Sequence, residues 1–206
     1  MKVVLASNNR GKLAELDRLF AHLAVELVPQ SVLEVVEADE TGTTFVENAL
    51  LKARSCCNQT QMPAIADDSG LVVPALAGEP GIRSARYAGT QGNDNANNTK
   101  LLHALSTCQS SSRAAYFYCA LVYLRHERDP APLIATGEWH GSIVVEPRGT
   151  TGFGYDPLFQ ANGRTETAAE LAPNAKNAIS HRGQAAARLV ELLTTELAGV
   201  PARTPA

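Results

Sequence analysis

The sequence predicts an α/β fold, and three stretches of the chain carry this prediction. An apolar run at residues 3–6, a polar loop and leucines at helical spacing follow one another in the order strand, loop, helix. Residues 114–125 are rich in Tyr, Phe, Val and Leu, and a turn and a second β-prone run at 133–140 follow, which predicts a hairpin. A last set of well-spaced leucines near the C-terminus predicts a terminal helix. With no clear linker or repeat, we expect one domain over residues 1–198 and a flexible tail at 199–206.

Composition and charge narrow the classes of protein. The 206 residues are 45% hydrophobic, which is enough for a sizeable core, and 18 basic against 21 acidic residues give a net charge of -3. No basic stripe runs along the chain, so we expect no nucleic-acid partner, and an anionic ligand would need a local cluster of cations. The sequence has neither a signal peptide nor an apolar stretch of about 20 residues, so we expect no membrane partner.

The cysteines indicate a reducing compartment. They form no CxxC pair, and the two adjacent ones are poor partners for each other, so neither a zinc site nor a disulfide framework is indicated. We therefore expect a cytoplasmic protein. The four cysteines are Cys56, Cys57, Cys108 and Cys119.

The first polar loop has two interpretations. It reads Ser7-Asn8-Asn9-Arg10-Gly11-Lys12 and leads into a helix predicted over residues 12–23. A loop at a helix start places backbone N–H groups and the positive end of the helix dipole where an anion can bind. Simple capping by Ser or Asn is an equally good interpretation. A Walker A loop is excluded, because it needs glycine where Ala6 stands and Ser or Thr where Leu13 stands. The apolar face of the helix is expected to carry Leu13, Leu16, Leu19, Phe20 and Leu23.

A short strand, an acidic stretch and a second helix are predicted next. Residues 25–28 are predicted as the strand, and residues 29–42 are acidic and compatible with a solvated loop. Thr44 and Glu47 match a capping box, which predicts a helix reaching about residue 58. Lys52 lies on this helix, where a single lysine is normally a surface charge. The predicted inner face consists of Phe45, Ala49, Leu50 and Ala53.

Two adjacent carboxylates follow a buried apolar run. Residues 64–66 are predicted as a strand that ends at Asp67 and Asp68 and delivers them to a sheet edge or a cleft. Because successive strand side chains alternate, one carboxylate should face solvent or a ligand and the other the scaffold. The alternative is an Asp-Ser-Gly turn that leads into a return strand at residues 71–73.

Three further elements are predicted between residues 78 and 145. Residues 78–89 contain several glycines and two arginines, and form either a long ordered loop or a short helix with loops. The sequence does not separate a ligand-contacting role from a structural one. Asp94 is expected to cap a helix that reaches about residue 105, and residues 143–145 are predicted as a short strand after the hairpin. The inward side chains of the helix are expected to be Leu101, Leu102 and Leu105.

The last third of the chain contains an aromatic loop and the terminal helix. Phe153 and Tyr155 lie among glycines, which permits stacking on a planar ligand, and the alternative is a turn with both rings in the core. Thr167 and Glu170 match a second capping box on a short helix. Residues 180–183 precede or start the last helix. Its apolar set is Leu189, Leu192, Leu193 and Leu197.

Five motifs in this order resemble one family. They lie at residues 7–12, 40–48, 66–71, 153–157 and 180–183. From residue 2 to about 193 the chain resembles the noncanonical purine nucleoside triphosphate pyrophosphatases, the inosine/xanthosine triphosphate pyrophosphatase family. The resemblance implies an elongated mixed β-sheet flanked by helices, two lobes with a central cleft, and a homodimer. It also implies Mg²⁺-dependent hydrolysis of ITP, dITP or XTP to the monophosphate and pyrophosphate.

The resemblance assigns roles to individual residues. Asp68 matches the residue assigned as general base and Mg²⁺ ligand, and Glu40 matches a further metal ligand. Ser69 matches a substrate contact, and Lys52 and Lys176 match phosphate partners. The triphosphate loop corresponds to Ser7, Asn8, Asn9, Arg10, Gly11 and Lys12, and the base pocket to Phe153, Gly154, Tyr155, Asp156, His181 and Arg182.

Elementary chemistry is compatible with these roles. A nucleoside triphosphate carries roughly four negative charges, for which the three lysines and Mg²⁺ would form the local cation cluster. A carboxylate with a pKa of roughly 4 is a weak base near neutrality, so metal activation of water should contribute more than proton abstraction by Asp68. Arg182 has only donors, so it matches a 6-oxo purine and meets the 6-amino group of adenine donor to donor. A pyrimidine or house-cleaning triphosphatase and a noncatalytic nucleotide-binding module remain the alternatives.

Overall fold

The central feature of the structure, a computed structural model that describes residues 1–20 and 25–199, is one open mixed β-sheet. Its six strands lie in the order β2-β1-β3-β4-β5-β6. β1 pairs in parallel with β2 and β3, whereas β3, β4, β5 and β6 pair antiparallel in succession. The predicted α/β class with a mixed sheet is therefore confirmed. The strands are β1 (Lys2–Ala6), β2 (Glu26–Pro29), β3 (Ala64–Val72), β4 (Ala114–Leu124), β5 (Leu133–Ile143) and β6 (Phe159–Ala161).

Helices cover both faces of the sheet. On one face, α2 packs on alternate residues of β1, β3 and β4, such as Val4 and Ala64. On the other face, α1 and α5 pack on the intervening residues, such as Leu5 and Ile65. A third buried cluster lies where β3 ends and β4 begins, and α3 packs on it. The helices are α1 (Arg10–Phe20), α2 (Phe45–Thr60), α3 (Asp94–Thr107), α4 (Pro173–Ile179) and α5 (His181–Gly199).

The predicted strand end at the paired carboxylates is wrong, and so is the alternative turn. β3 continues for nine residues, and each of them pairs with β4 in an unbroken antiparallel ladder. Gly70 is needed inside this strand because a Cβ there would lie 2.4 Å from both Gly81 O and Ser84 Oγ. The 3₁₀ helix Gly81–Arg86 packs closely at this point, which settles the glycine-rich segment as an ordered short helix. β3 therefore carries both carboxylates in its middle.

Several predicted boundaries need correction. Asn93 rather than Asp94 caps α3, because Asn93 Oδ1 accepts from Ala96 N at 3.1 Å. Residues 143–145 are not a separate strand, since β5 extends to Ile143 by pairing with β6. Thr167 N does donate to Glu170 Oε2 at 2.7 Å, but the chain makes a turn there and the short helix begins only at Pro173.

Other predictions agree with the structure. The capping box at Thr44 and Glu47 is present, and the hairpin of β4 and β5 forms. The first helix begins at Arg10 rather than residue 12, Gly199 is still helical, and Leu192 is exposed rather than inward. Leu23, the side chain of Leu197 and residues 200–206 of the predicted tail lie outside the described residues.

Within the described ranges, none of the helices combines the length and the apolar character that crossing a bilayer requires. The single-domain assignment over residues 1–198 stays a prediction. All four cysteines are free thiols.

Candidate active site

A cleft of about 750 Å³ brings the five sequence motifs together. The loop after β1, the middle of β3, the inner side of α2, the aromatic loop and the start of α5 all contribute to its lining. The residues proposed from the sequence whose side chains the structure describes all line this cleft, and the Arg10 side chain lies outside the described part. Those lining it are Ser7, Asn8, Asn9, Gly11, Lys12, Glu40, Lys52, Asp68, Ser69, Phe153, Gly154, Tyr155, Asp156, Lys176, His181 and Arg182.

β3 sends its two carboxylates to opposite faces, as alternation predicts. Asp68 faces α2 and lines the cleft. Asp67 faces the side of α1 and α5, where its side chain is completely buried. Strand alternation alone did not say which carboxylate faces a ligand, whereas the family resemblance chose Asp68, and the structure places Asp68 at the cavity.

The loop after β1 is organised by Asn9. Asn9 Oδ1 accepts from Lys12 N at 3.1 Å, and Asn9 O accepts from Leu13 N at 2.9 Å, so Asn9 caps α1. Ser7 Oγ in turn accepts from Asn9 N at 3.2 Å. The predicted capping is therefore confirmed, and it places the N-terminus of α1 against the cleft. Anion binding at the same helix start stays a prediction.

Lys52 joins two carboxylates from distant parts of the chain. Its Nζ lies 2.9 Å from Glu40 Oε1 and 3.3 Å from Asp68 Oδ1. The second oxygens are also engaged, since Arg86 donates to Glu40 Oε2 at 3.0 Å and Asn48 Nδ2 donates to Asp68 Oδ2 at 3.3 Å. Glu40 and Asp68 thus converge on one cation.

The environment shifts the pKa values of this group in different directions. Burial raises the pKa of Asp68, and the neighbouring Lys52 ammonium only partly offsets it. Burial alone would raise the pKa of Glu40 as well, but Lys52 and Arg86 hold it below the usual value. Despite burial, the carboxylates around Lys52 raise its pKa, so this lysine is cationic at neutral pH. An added cation beside Asp68 would favour its ionised form.

The donor set suits a magnesium ion that is shared with a substrate. Mg²⁺ is usually bound by one or two carboxylates together with substrate phosphates, and Glu40 and Asp68 supply two carboxylates that already face one cationic group. In the described ranges, no group of three or more His, Cys, Asp or Glu side chains is arranged to hold a metal. The protein alone therefore offers a partial site that phosphate oxygens would complete.

Asp67 connects the phosphate loop with the start of α5. Lys12 Nζ lies 3.1 Å from Asp67 Oδ1, and Arg182 Nε lies 3.5 Å from Asp67 Oδ2. Ser69 Oγ donates to the same Oδ2 at 3.0 Å. Burial alone would raise the pKa of Asp67, but Lys12 and Arg182 hold it well below the ordinary range. Asp67 is therefore a permanent anion that orients cations at both ends of the cleft.

A second buried ion cluster surrounds Arg182. Arg182 donates from NH1 to Glu15 and from NH2 to Ser69 Oγ, the latter at 2.9 Å. Lys176 Nζ lies 3.1 Å from Glu15 Oε1 and 2.7 Å from Asp156 Oδ2. Three of the five N–H donors of Arg182 are thus directed at protein acceptors, counting Nε to Asp67. One N–H on NH1 and one N–H on NH2 are therefore left to donate to a ligand, as judged within the described residues.

Aromatic rings line the same end of the cleft. Phe153 is half-buried, with Lys176 Nζ 5.0 Å and Arg182 Cζ 5.7 Å from its ring centre. Tyr155 is instead buried in the core, and its hydroxyl donates to Ser84 O at 2.9 Å. The core interpretation is therefore confirmed for Tyr155, whereas stacking of a planar ligand on Phe153 stays a prediction.

Sequence reasoning missed Glu15, Asn48, Arg86 and Phe117 as cleft-side residues. Glu15 lies on the polar side of an amphipathic helix, and its partner Lys176 is 161 positions away, so no local pattern marks it. Asn48 falls inside the capping-box helix and Arg86 inside the glycine-rich segment. Of these four residues, only Asn48 lies in one of the five family motifs, the one at residues 40–48, so only Asn48 could have been found from the motifs.

His181 is buried against Phe117 with its Nδ1 unpartnered. The two rings stack with centroids 4.8 Å apart. Burial, together with the charges of Arg182 and Lys176, lowers the pKa of His181 well below 6.5, so the imidazole is neutral at pH 7. The folded state thus gains a neutral acceptor or donor at the inner wall of the cleft.

This burial predicts a pH-dependent loss of stability. In the unfolded chain His181 takes up a proton below about pH 6.5, but in the folded chain it does not, so the free energy of unfolding falls as pH decreases from about 7 to 5. We expect His181 to contribute a slope of up to about 1.4 kcal/mol per pH unit. Urea unfolding at several pH values should show a smaller slope for His181→Gln than for wild type. His126→Gln, at an exposed histidine, is the control, and equal slopes in all three proteins would contradict the prediction.

Comparison with known proteins places the chain among close relatives. The model of the Ham1 family matches residues 3–192. The chain is 54% identical over 199 residues to a dITP/XTP pyrophosphatase of Halorhodospira halophila, covering 97% of this chain and 100% of the relative. It is 55% identical over 193 residues to a protein of the same name from Nitrosomonas europaea, covering 94% of each. A HAM1 protein structure from Coxiella burnetii aligns with a TM-score of 0.89 and 49% identity, over 95% of this chain and 99% of that one.

Proposed function

Because the chain belongs to the Ham1 family, we propose that it hydrolyses noncanonical purine nucleoside triphosphates to the monophosphate and pyrophosphate. The substrates are dITP, ITP and XTP, and the reaction removes them from the nucleotide pool. One observation carries the proposal: a single cleft has paired carboxylates and lysines at one end and an arginine with an aromatic ring at the other.

The triphosphate is proposed to lie between the N-terminus of α1 and Lys52. Asn9 fixes the start of α1, and a helix start is a favourable position for an anion. Lys12 and Lys52 lie beside this space, and Lys176 lies farther along the cleft beside Phe153. Each of the three lysines is paired with a carboxylate. Phosphate oxygens would therefore enter a group of cations that the fold has already brought together.

Asp68 is proposed as the centre of the chemistry. With Glu40 it would hold Mg²⁺, and the ion when bound would neutralise developing charge on the phosphates and lower the pKa of a water molecule. Asp68 would orient the attacking water in line with the bridging oxygen between the α and β phosphates. A new P–O bond then forms as the bridging P–O bond breaks, which leaves the monophosphate and pyrophosphate. Burial raises the pKa of Asp68, and Mg²⁺ beside it would favour the ionised carboxylate, which is the form that holds the metal and orients water.

The base is proposed to stack on Phe153 and to meet the free donors of Arg182. A 6-oxo purine offers an acceptor to the guanidinium, whereas the 6-amino group of adenine offers only donors. Because Asp67, Glu15 and Ser69 fix the orientation of the guanidinium, it cannot turn away at low cost. On this proposal, adenine nucleotides are expected to be poor substrates.

A substrate panel tests the function. We expect the purified protein with Mg²⁺ to release pyrophosphate from dITP and XTP with a kcat/KM at least about 10-fold above that for dATP, because a buried unpaired donor costs about 1 to 3 kcal/mol. Chelation of divalent ions should abolish the reaction, and Mg²⁺ should restore it. Preference for dUTP would instead indicate a pyrimidine triphosphatase. Tight nucleotide binding without turnover in Mg²⁺ would indicate a binding module.

Assembly and location complete the proposal. We propose a homodimer, as the family resemblance implies, and a cytoplasmic location, which free thiols such as the buried Cys56 and Cys119 support. Sedimentation at micromolar concentration tests the first, since a dimer would have twice the mass of the 21.9 kDa chain.

A further inference from the structure

Two side chains of α3 hold the backbone of Gly154, the residue after Phe153. Gly154 N donates to Asp94 Oδ2 at 2.7 Å, and Asn98 Nδ2 donates to Gly154 O at 3.0 Å. Asp94 and Asn98 are four positions apart and therefore lie on one face of the helix. The helix thus engages both polar groups of a single backbone residue.

These two bonds fix the conformation of Gly154. Its N–H belongs to the peptide plane before the residue and its C=O to the plane after it, so holding both groups fixes φ and ψ between them. The φ angle of 63° lies in the left-handed region, where glycine moves with little cost. A Cβ here would meet no atom within 4 Å, so neighbouring atoms do not restrict this residue sterically. The side chains of α3 supply the restriction instead.

The helix itself is anchored to the segment beside it. Asn97 is buried, and its Oδ1 accepts from Ala88 N at 2.7 Å while its Nδ2 donates to Ala85 O at 3.3 Å. Tyr155, the other neighbour of Gly154, donates to Ser84 O in the same segment at 2.9 Å. α3 and Tyr155 are therefore both hydrogen-bonded to the segment at residues 84–88, which ties the surroundings of Gly154 together.

The Phe153 backbone is held from both sides: its N–H donates to Asp156 Oδ2 at 2.9 Å, and its carboxyl side joins the fixed Gly154. The ring contacts the phosphate loop, because a Cβ on Gly11 would lie 2.8 Å from it, and it lies 5.7 Å from Arg182 Cζ. A change in the Gly154 dihedral angles would shift the ring relative to the guanidinium. The distance between a stacking surface and a hydrogen-bonding group would then no longer match a purine.

We propose that Asp94 and Asn98 are positioning residues that set the purine preference by fixing Gly154 and hence the Phe153 ring. The proposal rests on the proposed function, since it assigns the base to this end of the cleft. Neither side chain needs to touch the nucleotide for this effect.

Two variants and two controls test it. Asn98→Asp keeps the size of the side chain but replaces the donor with a carboxylate facing Gly154 O, and Asp94→Ala removes the acceptor. For each we expect kcat/KM for dITP to fall about 10-fold, mainly through KM, and the preference for dITP over dATP to shrink. Asp94→Asn retains an acceptor and should stay within about 3-fold of wild type. Asn95→Ala, exposed on the same helix, should be unchanged.

Inhibition by tripolyphosphate distinguishes a loss of Phe153 positioning from general damage to the fold or to the phosphate-binding part of the cleft. Tripolyphosphate has no base, so its inhibition constant should stay the same in all variants, and their thermal unfolding midpoints should match that of wild type. Equal weakening toward dITP and tripolyphosphate would overturn the proposal. An unchanged preference for dITP over dATP in Asn98→Asp and Asp94→Ala would also overturn it. An active wild type with unchanged variants would overturn this inference alone, whereas a wild type inactive on dITP would overturn the proposed function as well.

Discussion

Replacing Asp68 with asparagine is expected to lower kcat for dITP by about 10³-fold while nucleotide binding is largely kept. The substitution preserves the size of the side chain and removes the charge that would hold the metal and orient water. Metal stabilisation of transition-state charge contributes several kcal/mol, and about 4 kcal/mol corresponds to about 10³-fold. Steady-state release of pyrophosphate measures kcat, and calorimetry with a nonhydrolysable dITP analogue measures binding.

Binding should be kept because other groups provide it. Lys12, Lys52 and Lys176 remain, and loss of the buried Asp68 charge removes a competitor for Lys52. Asp17→Asn, an exposed carboxylate on α1, controls for the change in net charge and should have normal kcat. Near-normal turnover of Asp68→Asn would remove Asp68 from its proposed role.

Substitution of Arg182 should affect base selectivity and stability together. Arg182→Gln replaces a donor-only group with an amide that can present either a donor or an acceptor, so we expect the preference for dITP over dATP to fall by roughly 5- to 150-fold. Arg182→Lys keeps a donor-only group and should retain most of the preference. The ratio of kcat/KM values for the two nucleotides is the measurement, and an unchanged ratio in Arg182→Gln would refute the donor argument.

Arg182→Ala should also be strongly destabilised. Removing one partner of a buried ion pair typically costs about 3 to 5 kcal/mol, because it leaves uncompensated charge, and here both Glu15 and Asp67 would lose Arg182. Chemical denaturation of Arg182→Ala against wild type measures this loss. A change below about 1 kcal/mol would show that Lys12 and Lys176 compensate for the missing guanidinium.

Local sequence signals identified the elements that local chemistry determines. The capping box at Thr44 and Glu47 marks α2 because both hydrogen bonds lie within four residues. The hairpin of β4 and β5 follows from two β-prone runs beside a short turn. The motif resemblance located most of the cleft, since short motifs preserve residue identity without requiring their contacts to be known.

Features that depend on distant partners could not be predicted from local pattern. β3 continues through two carboxylates only because β4 pairs with every residue and because Lys12, Lys52 and Arg182 neutralise the acids. β6 has three residues and no pattern of its own. Glu15 reaches Arg182 across 167 positions, so its role follows from tertiary packing alone.

The products of dITP hydrolysis test the central claim most directly. The protein is incubated with dITP and Mg²⁺, and the phosphorus species are identified by ³¹P NMR. Cleavage between the α and β phosphates predicts dIMP and pyrophosphate in equal amounts from the first turnover. Formation of dIDP and orthophosphate would contradict the account, because the bond broken would then be the one between the β and γ phosphates.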